Sequence, residues 1–351
     1  MSSKFKDIRS YEISDLEEFL INNNEKKFRA KQLFEWIQKG VENFDDMTNI
    51  SKELRLKLKE KFILNNAKSL KVLSSENDGT KKYLFKLNDG NIIESVLMRY
   101  KHGNTVCVST QIGCKMGCTF CASTIGGMVR NLTAGEIIGQ IFAIQNDIKE
   151  RVSNIVLMGS GEPLDNYDEV IKFLRLVNHP KGLNIGMRSI TLSTSGIAPK
   201  IKKLADLNLQ LTLAISLHAP NDDLRSSTMP INNKYPIKEL IEACKYYIDT
   251  TGRRVTFEYA LIENVNDNDL TAQELGKLLK GMLCHVNLIP INAVKERGFK
   301  PTQNKNIVNF KKTLEKYGIT VTIRRELGSD INAACGQLRK GFIEELNIEN
   351  I

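Results

Sequence analysis

The strongest constraint on the fold is an alternation of β-rich runs and helical patterns that starts near residue 104. The β-rich runs are NTVCVSTQ, SNIVLMG, RSITLSTS, LQLTLAISL, RRVTFEYALI, CHVNLIPI and ITVTIRR, and segments such as TAGEIIGQIFAIQNDIKE separate them. This βαβα order predicts an α/β fold with a parallel sheet. The number of units is enough for a partial or complete parallel (βα) barrel, whose active site would lie at the C-terminal ends of the strands.

The first hundred residues have a different pattern. SDLEEFLINN with Ser14 as its cap, FRAKQLFEWIQKG ending at Gly40, and SKELRLKLKEKF beginning at Ser51 predict three short amphipathic helices. KKYLFKL and NIIESVLMRY flank an Asn-Asp-Gly turn and predict a β-hairpin that places Glu94 on a strand leading toward the cysteines. We therefore expect a helical domain over 1–75, a hairpin connector over 76–103, and the barrel over 104–345.

Charge and cysteine content narrow the class of protein. Lys plus Arg less Asp plus Glu is 50 − 41 = +9, which fits a polyanionic partner but also fits many proteins without one. Seven cysteines, with no apolar signal segment in the opening MSSKFKDIRS, favour a reducing cytoplasm in which clustered thiols bind metal or do redox chemistry. No apolar run approaches the length of a membrane span, so we expect a soluble protein without a membrane partner.

The stretch CVSTQIGCKMGCTFCAS contains a compact thiol motif. Cys114, Cys118 and Cys121 form C-x3-C-x2-C on the loop after the first strand of the alternation, and neighbouring glycines let the backbone fold tightly around a bound group. Zinc is the weaker alternative, because a structural zinc site has four ligands and His102 has no partner at the spacing of a zinc knuckle. A four-iron cluster on three cysteines keeps one iron open, which favours chemistry.

This motif, with Phe120 before its last cysteine and at the first strand of a βα barrel, resembles the radical S-adenosylmethionine superfamily. The resemblance implies a [4Fe-4S] cluster held by Cys114, Cys118 and Cys121. Its open iron would bind the amino and carboxylate groups of S-adenosyl-L-methionine and deliver the electron that breaks this cosubstrate to a 5′-deoxyadenosyl radical.

Further motifs make the resemblance more specific. MGSGEPL, SITLSTSG, ISLHA, MPIN, HVNLIPIN and DINAACGQLR, in this order, resemble the RlmN family of bacterial adenine-C2 RNA methyltransferases. The resemblance implies that S-adenosylmethionine is contacted by Gly161, Glu162, Ser193, Ser216, Leu217, His218 and Asn292. A single Ser or Asn at a strand end is more often a turn or cap residue, so the assignment depends on all these loops meeting at one end of the barrel.

The same resemblance implies three catalytic residues. Cys335 would carry a methyl group from a first S-adenosylmethionine, a radical from a second would activate that methyl, and the resulting methylene would add to C2 of adenine. Glu94 would accept a proton, and Cys107 would release the product by forming a disulfide with Cys335 that a reductant reopens. Without the resemblance, Cys335 would be read as a small buried hydrophobe and Glu94 as an exposed carboxylate. Cys244 and Cys284 are assigned no chemistry.

The partners implied are 23S rRNA, in some family members a tRNA adenine beside the anticodon, and an external one-electron reductant such as flavodoxin. Cationic residues of the N-terminal helices could contact phosphates or form a solvated face: Lys26, Lys27, Arg29, Lys31, Lys52, Arg55, Lys57, Lys59 and Lys61. Two alternatives remain open: C8 methylation of the same rRNA adenine, and a non-catalytic zinc-dependent RNA-binding protein. GEPL and IRRELG are closer to the C2 family than to the C8 family.

Overall fold

The computed structural model describes residues 6–292, 294, 297–333 and 336–338. The helices are α1 (Ile13–Asn22), α2 (Arg29–Gln38), α3 (Lys52–Lys61), α4 (Ala134–Ile148), α5 (Tyr167–Asn178), α6 (Ala198–Asp206), α7 (Asp222–Thr228), α8 (Ile237–Thr251), α9 (Asp269–Leu279) and α10 (Asn304–Lys316). The strands are β1 (Lys6–Asp7), β2 (Phe62–Ile63), β3 (Lys68–Ser74), β4 (Lys81–Lys86), β5 (Ile92–Tyr100), β6 (Gly103–Cys107), β7 (Gln111–Ile112), β8 (Arg130–Asn131), β9 (Val152–Leu157), β10 (Ile190–Thr194), β11 (Thr212–Ser216), β12 (Val255–Leu261), β13 (Cys284–Pro290) and β14 (Thr320–Ile323).

One large mixed sheet organises the chain. Its strand order is β14-β13-β12-β11-β10-β9-β6-β5-β4-β3. Neighbours from β6 to β14 pair in parallel, whereas β3, β4, β5 and β6 pair antiparallel. Each β-rich run predicted after residue 104 contains one of the parallel strands. The α/β fold with a parallel core is confirmed, and among the described strands β14 and β3 end the sheet, so the barrel is partial.

The parallel strands are buried because crossover helices cover them, as parallel pairing requires. Every residue of β12 is buried, which explains its nearly continuous apolar sequence. Helix α4 returns the chain from β6 to β9 and begins with a capping box, in which Thr133 and Glu136 bond each other's backbone N–H groups. None of the described helices is long and apolar enough to cross a membrane.

The three N-terminal helices form as predicted, with one correction at a helix start. Ser51 Oγ accepts the Leu54 N–H and caps α3, and Gly40 follows the end of α2 with a φ of 78°. Ser14 does not cap α1, so that prediction was wrong. The cap is Glu12, whose carboxylate and that of Asp15 bond each other's backbone N–H groups, so an acidic pair replaces the expected hydroxyl.

The predicted hairpin is formed by β4 and β5, which pair antiparallel around the Asn-Asp-Gly turn. Strand β3 adds a third antiparallel strand that begins at Lys68, before residue 76, where we expected the connector to start. The register aligns Val96 of β5 with Cys107 of β6 and Cys107 with Val156 of β9. The antiparallel strands therefore continue the barrel sheet directly beside the first cysteine.

Candidate active site

The loops after the parallel strands surround an open cavity. Its lining includes the three cysteines of the motif and six of the seven residues expected to contact S-adenosylmethionine: Cys114, Cys118, Cys121, Gly161, Glu162, Ser193, Ser216, His218 and Asn292. The seventh, Leu217, does not line it, because its side chain lies in the hydrophobic core and its carbonyl accepts the Arg225 Nε–H. Residues far apart in sequence therefore meet at one site.

Local backbone bonds hold the cysteine loop in place. Gly113 has a φ of 73°, and a Cβ there would lie 1.9 Å from the carbonyl oxygen of Gly127, so only glycine fits. Thr124 Oγ1 donates to the carbonyls of Cys118 and Cys121 at 3.1 and 2.9 Å. These bonds fix the second half of the motif.

The thiols lie in a setting that favours a bound cationic centre. Burial raises the pKa of Cys114 to about 12 and raises that of Cys118 further, and repulsion from the Cys121 thiolate adds to both shifts. A metal centre removes this cost, because coordinating thiols are deprotonated by the cation that they bind. Within the described ranges, no three His, Cys, Asp or Glu side chains lie close enough together to hold a single metal ion. The donor set and the cavity fit a larger iron-sulfur group.

Glu162 combines a structural role with a place in the cavity wall. Its carboxylate accepts the N–H groups of Ser195 at 2.7 Å and Leu164 at 3.0 Å, and burial raises its pKa. Gly161 before it has a φ of 107°, and a Cβ there would lie 2.6 Å from the Cβ of Gln111. Glu162 therefore joins its own loop to the loop that contains Ser195 and lies in the cavity wall, where a carboxylate can accept from a ligand ammonium.

His218 is a neutral imidazole. Its Nδ1 accepts the Ala260 N–H at 2.9 Å, which leaves the ring proton on Nε2. Burial, and secondly the positive charge of Arg225, lower the pKa of His218 to about 3. Its ring packs edge to face against Phe120 at 5.0 Å between centroids. His218 therefore offers one N–H donor without adding charge.

Two functional residues were not predicted from the sequence. Arg225 is fully buried on α7 and donates to the carbonyls of Ser195 at 2.6 Å, Ser216 at 3.2 Å and Leu217 at 3.1 Å. It therefore joins the loops after two neighbouring strands. No local pattern marks this arginine as buried, because its partners are distant carbonyl groups.

The second is Glu258, a buried carboxylate on β12 that lines the cavity. It accepts from Asn287 Nδ2 at 2.9 Å and lies 3.6 Å from Arg324, and burial raises its pKa. The sequence did contain a signal for this residue, because Glu258 is the single carboxylate within the mostly apolar run VTFEYAL.

A second, smaller cavity adjoins the first and includes Cys107. Met158, Ile289, Asn292 and Arg324 line both cavities. Other lining residues of the second are Val96, Met98, Val156, Ala333 and Leu338. Cys107 is therefore next to the cofactor cavity but separated from it by a shared wall.

Cys335 itself lies outside the described residues, but the chain on both sides of it is described. Cys107 belongs to an apolar cluster that includes Ala333 and Leu338. On the far side, the Gly336 carbonyl accepts the Ala122 N–H at 2.8 Å, and the Leu338 carbonyl accepts the Ser123 hydroxyl at 2.6 Å. The residues that flank Cys335 therefore share an apolar cluster with Cys107 and also bond the end of the loop that carries Cys114, Cys118 and Cys121.

Glu94 is buried, which corrects the expectation, made without the family resemblance, that it is an exposed carboxylate. It is 1% exposed, and its Oε1 lies 3.0 Å from Nζ of Lys82. It shares a sheet face with Val96 and hence with Cys107, because side chains alternate along a strand and these two residues are paired. An exposed carboxylate was expected because a hairpin strand usually faces solvent, but this one continues the barrel.

Several N-terminal cations are already paired with acidic groups. Lys57 bonds Glu25 and Glu53, Lys59 bonds Asp45, and Lys27 bonds Glu17. Arg29 instead lies beside the exposed ring of Phe28. The surface is therefore mixed, as the interspersed acidic residues indicated.

Comparisons with known proteins agree with this architecture. Residues 108–274 match the radical SAM superfamily, and residues 6–64 match the N-terminal domain of ribosomal RNA large subunit methyltransferases. The probable dual-specificity RNA methyltransferase RlmN of Clostridium novyi is 60% identical over 339 residues, which cover 96% of this chain and 99% of that protein. The corresponding protein of Alkaliphilus oremlandii is 62% identical over 338 residues, covering 96% and 98%.

A solved structure extends the comparison to three dimensions. The radical SAM methyltransferase from Sphaerobacter thermophilus superposes with a TM-score of 0.91 at 45% identity, over 95% of this chain and 99% of that one. Sequence and fold are thus similar over nearly the whole length. The chain belongs to the RlmN family of RNA methyltransferases, within the radical SAM superfamily.

Proposed function

We propose that this enzyme methylates C2 of a specific adenine in 23S rRNA and of the adenine beside a tRNA anticodon. Its relatives are named dual-specificity RNA methyltransferases, which supports two RNA substrates. One observation carries the mechanistic part: residues on either side of Cys335 contact Cys107 and the cluster loop. A methyl carrier at that position could reach both a methyl donor and a partner thiol.

Cys114, Cys118 and Cys121 would hold a [4Fe-4S] cluster, and Gly161, Glu162, Ser193, Ser216, His218 and Asn292 would bind S-adenosylmethionine in the adjoining cavity. When bound, these groups supply a methyl group, one electron and a radical that abstracts hydrogen. Glu162 would accept from the amino group, and the Nε2–H of His218 would donate to an acceptor of the ligand. Leu217 would act only indirectly, because its N–H bonds the Glu258 carbonyl and its carbonyl accepts from Arg225.

Cys335 would act first as a nucleophile. Its thiolate attacks the methyl carbon of S-adenosylmethionine, so a sulfur–carbon bond forms on Cys335 and the methyl–sulfonium bond breaks. This step is needed because C2 of adenine is a poor nucleophile and cannot take the methyl directly. The loop then carries an activated methylene to the base in the second cavity.

Glu94 and Cys107 would complete the reaction. Glu94 would accept the proton from C2 while the unpaired electron of the adduct passes to the iron-sulfur group, and the Cys107 thiolate would then attack the sulfur of Cys335. The sulfur–sulfur bond forms as the sulfur–carbon bond breaks, and the carbon that leaves takes up a proton to become the methyl group, so methylated adenine is released and a Cys107–Cys335 disulfide remains. A reductant would supply the two electrons that reopen it in the cytoplasm, and an external one-electron reductant such as flavodoxin would supply the electron for the radical step.

The chain would divide its work among three parts. Residues 1–75 would bind RNA, 76–103 would connect, and 104–345 would hold the cofactors and the methyl-carrier loop. A flipped adenine must leave its stack to reach the second cavity, which favours an RNA loop or bulge as the target.

The test is nucleoside mass spectrometry after anaerobic incubation of the reconstituted enzyme with 23S rRNA and with tRNA. We expect 2-methyladenosine from both. A methyl group on C8 would overturn the C2 assignment in favour of the C8 alternative, and product from rRNA alone would overturn the tRNA part. The zinc alternative would require stoichiometric zinc without iron or sulfide after the same reconstitution.

A further inference from the structure

A buried lysine forms an ion pair with Glu94 inside the barrel. Lys82 on β4 is 0% exposed, and its Nζ lies 3.0 Å from Oε1 of Glu94. Stability alone does not account for such a pair, because replacing both partners of a buried ion pair with apolar residues is often neutral or stabilising. The same strand has Leu84 at an equivalent buried position, so an apolar side chain fits this face.

The strand register places this pair beside Cys107. Lys82 lies opposite Val96, and Val96 lies opposite Cys107, so these residues form one row across three strands. Glu94 is two residues before Val96 and therefore points to the same face. The neighbouring Lys81 points to the other face, where it bonds Asp147 at 3.0 Å.

The ammonium of Lys82 has a second partner. It donates to the carbonyl of Asn332 at 3.1 Å, and Asn332 precedes Cys335 by three residues. This turn is closed by a bond from the Ala333 N–H to the Gly328 carbonyl at 2.9 Å. A single ammonium therefore forms an ion pair with the Glu94 carboxylate and donates a hydrogen bond to the segment that leads to Cys335.

We propose that Lys82 is a positioning residue that holds the Glu94 carboxylate at a fixed place relative to the methyl-carrier loop. The inference rests on the proposed roles of Glu94 and Cys335. A proton acceptor works only within hydrogen-bond reach of its proton, and a displacement of 1 Å can cost about 100-fold in rate. Lysine suits the task because its three donors lie on one atom and can serve two acceptors at once.

The test compares K82M, K82R and E94Q in the full-length, anaerobically reconstituted enzyme. Peptide mass spectrometry measures methylation of Cys335, a denaturing gel measures the covalent RNA–protein adduct, and nucleoside mass spectrometry measures methyladenosine. We expect K82M to methylate Cys335 yet form methyladenosine about 100-fold more slowly, with adduct accumulating. K82R should recover most of the rate, because its guanidinium retains the charge and several donors. K81M, on the opposite face of the same strand, should match the wild type.

The outcomes separate this inference from the proposed mechanism. Wild-type methyladenosine from E94Q would overturn the proton-acceptor role and, with it, the positioning role. An inactive E94Q together with a fully active K82M would overturn only the inference on Lys82.

If K82M fails to fold, the double variant K82M/E94Q decides, because it leaves no unpaired charge in the barrel. Residues that act through one another are non-additive. We therefore expect the double variant to have the residual rate of E94Q. A further loss of about tenfold or more would show that Lys82 acts apart from Glu94 and would overturn the proposal.

Discussion

The two adjoining cavities share a wall but differ in how their other walls are held. In the cofactor cavity, Glu162 bonds the backbone of two loops, and Arg225 joins the loops after two strands. The second cavity combines apolar side chains that pack in one cluster, among them Val96, Met98 and Val156, with the charged Arg325 and Glu326. Buried hydrogen-bond networks specify one geometry, whereas apolar contacts are non-directional and tolerate more adjustment.

This difference fits two kinds of ligand. A small charged cosubstrate held at a defined distance from an iron centre would benefit from loops fixed by hydrogen bonds. A base extruded from RNA has an apolar face and polar edges, which would fit a wall that combines apolar and charged side chains. The cysteine motif lines the first cavity and Cys107 lines the second, so each cavity has its own thiol groups. Substitutions that act on one cavity alone test this division.

The largest effect is expected at the cysteine motif. Cys118→Ala removes one of the three thiolates that would hold the cluster, so iron and sulfide content should fall by about tenfold or more and methylation should stop. Iron and sulfide analysis after anaerobic reconstitution measures this directly. Cys244→Ala is the matched control, because Cys244 is also buried but lies in the hydrophobic core. Equal iron loss in both variants would contradict the assignment.

Next in size is the loss of the arginine that joins the loops of the cofactor cavity. Arg225→Met leaves buried carbonyls of Ser195, Ser216 and Leu217 without a donor, which should lower the free energy of unfolding by about 3 kcal/mol. S-adenosylmethionine should bind about 10- to 100-fold more weakly, measured by calorimetry. Arg175→Met, which removes an exposed arginine, should change neither quantity by much.

A smaller effect is expected when one residue is replaced in the wall of each cavity. Gly161→Ala forces a side chain into a φ of 107° and against Gln111, so it should lower the free energy of unfolding by about 1–3 kcal/mol and weaken cosubstrate binding. Met98→Leu in the second cavity keeps the volume and should cost less than about 1.5 kcal/mol. Chemical denaturation of both variants measures the difference. A costlier Met98→Leu would contradict the claim that the apolar contacts of the second cavity tolerate adjustment.

The smallest effect is expected far from both cavities, at the N-terminal helices. Because Arg29 is proposed to contact a phosphate, Arg29→Ala should weaken RNA binding several-fold. It should also reduce the slope of log affinity against log salt concentration by about one. Lys57→Ala is the control, because Lys57 already bonds Glu25 and Glu53. Affinities measured over a range of salt concentrations distinguish the two. Identical slopes would remove Arg29 from the RNA-binding surface.

Local patterns predicted what depends on local physics. The β-rich runs, the hairpin turn, the cap at Ser51 and the clustered cysteines all depend on spacing within a few residues, and the structure contains each of them. The convergence of the cofactor loops followed from the parallel order of the strands, because their C-terminal ends meet at one end of a barrel.

What escaped prediction depends on contacts between distant residues. Arg225 bonds carbonyls from other loops, and Lys82 reaches Asn332 across some 250 positions of sequence. The burial of Glu94 depends on the hairpin continuing the barrel sheet, which its own sequence does not reveal. At Ser14, two plausible caps competed, and the acidic capping box prevailed over the hydroxyl.

The most direct test of the central claim uses S-adenosylmethionine with a fully deuterated methyl group. If the methyl passes through Cys335 and loses one hydrogen there before joining C2, the 2-methyladenosine product keeps two of the three deuterium atoms. Mass spectrometry of nucleosides after anaerobic turnover gives this count. A product that keeps all three would show direct methyl transfer and would contradict the route through Cys335.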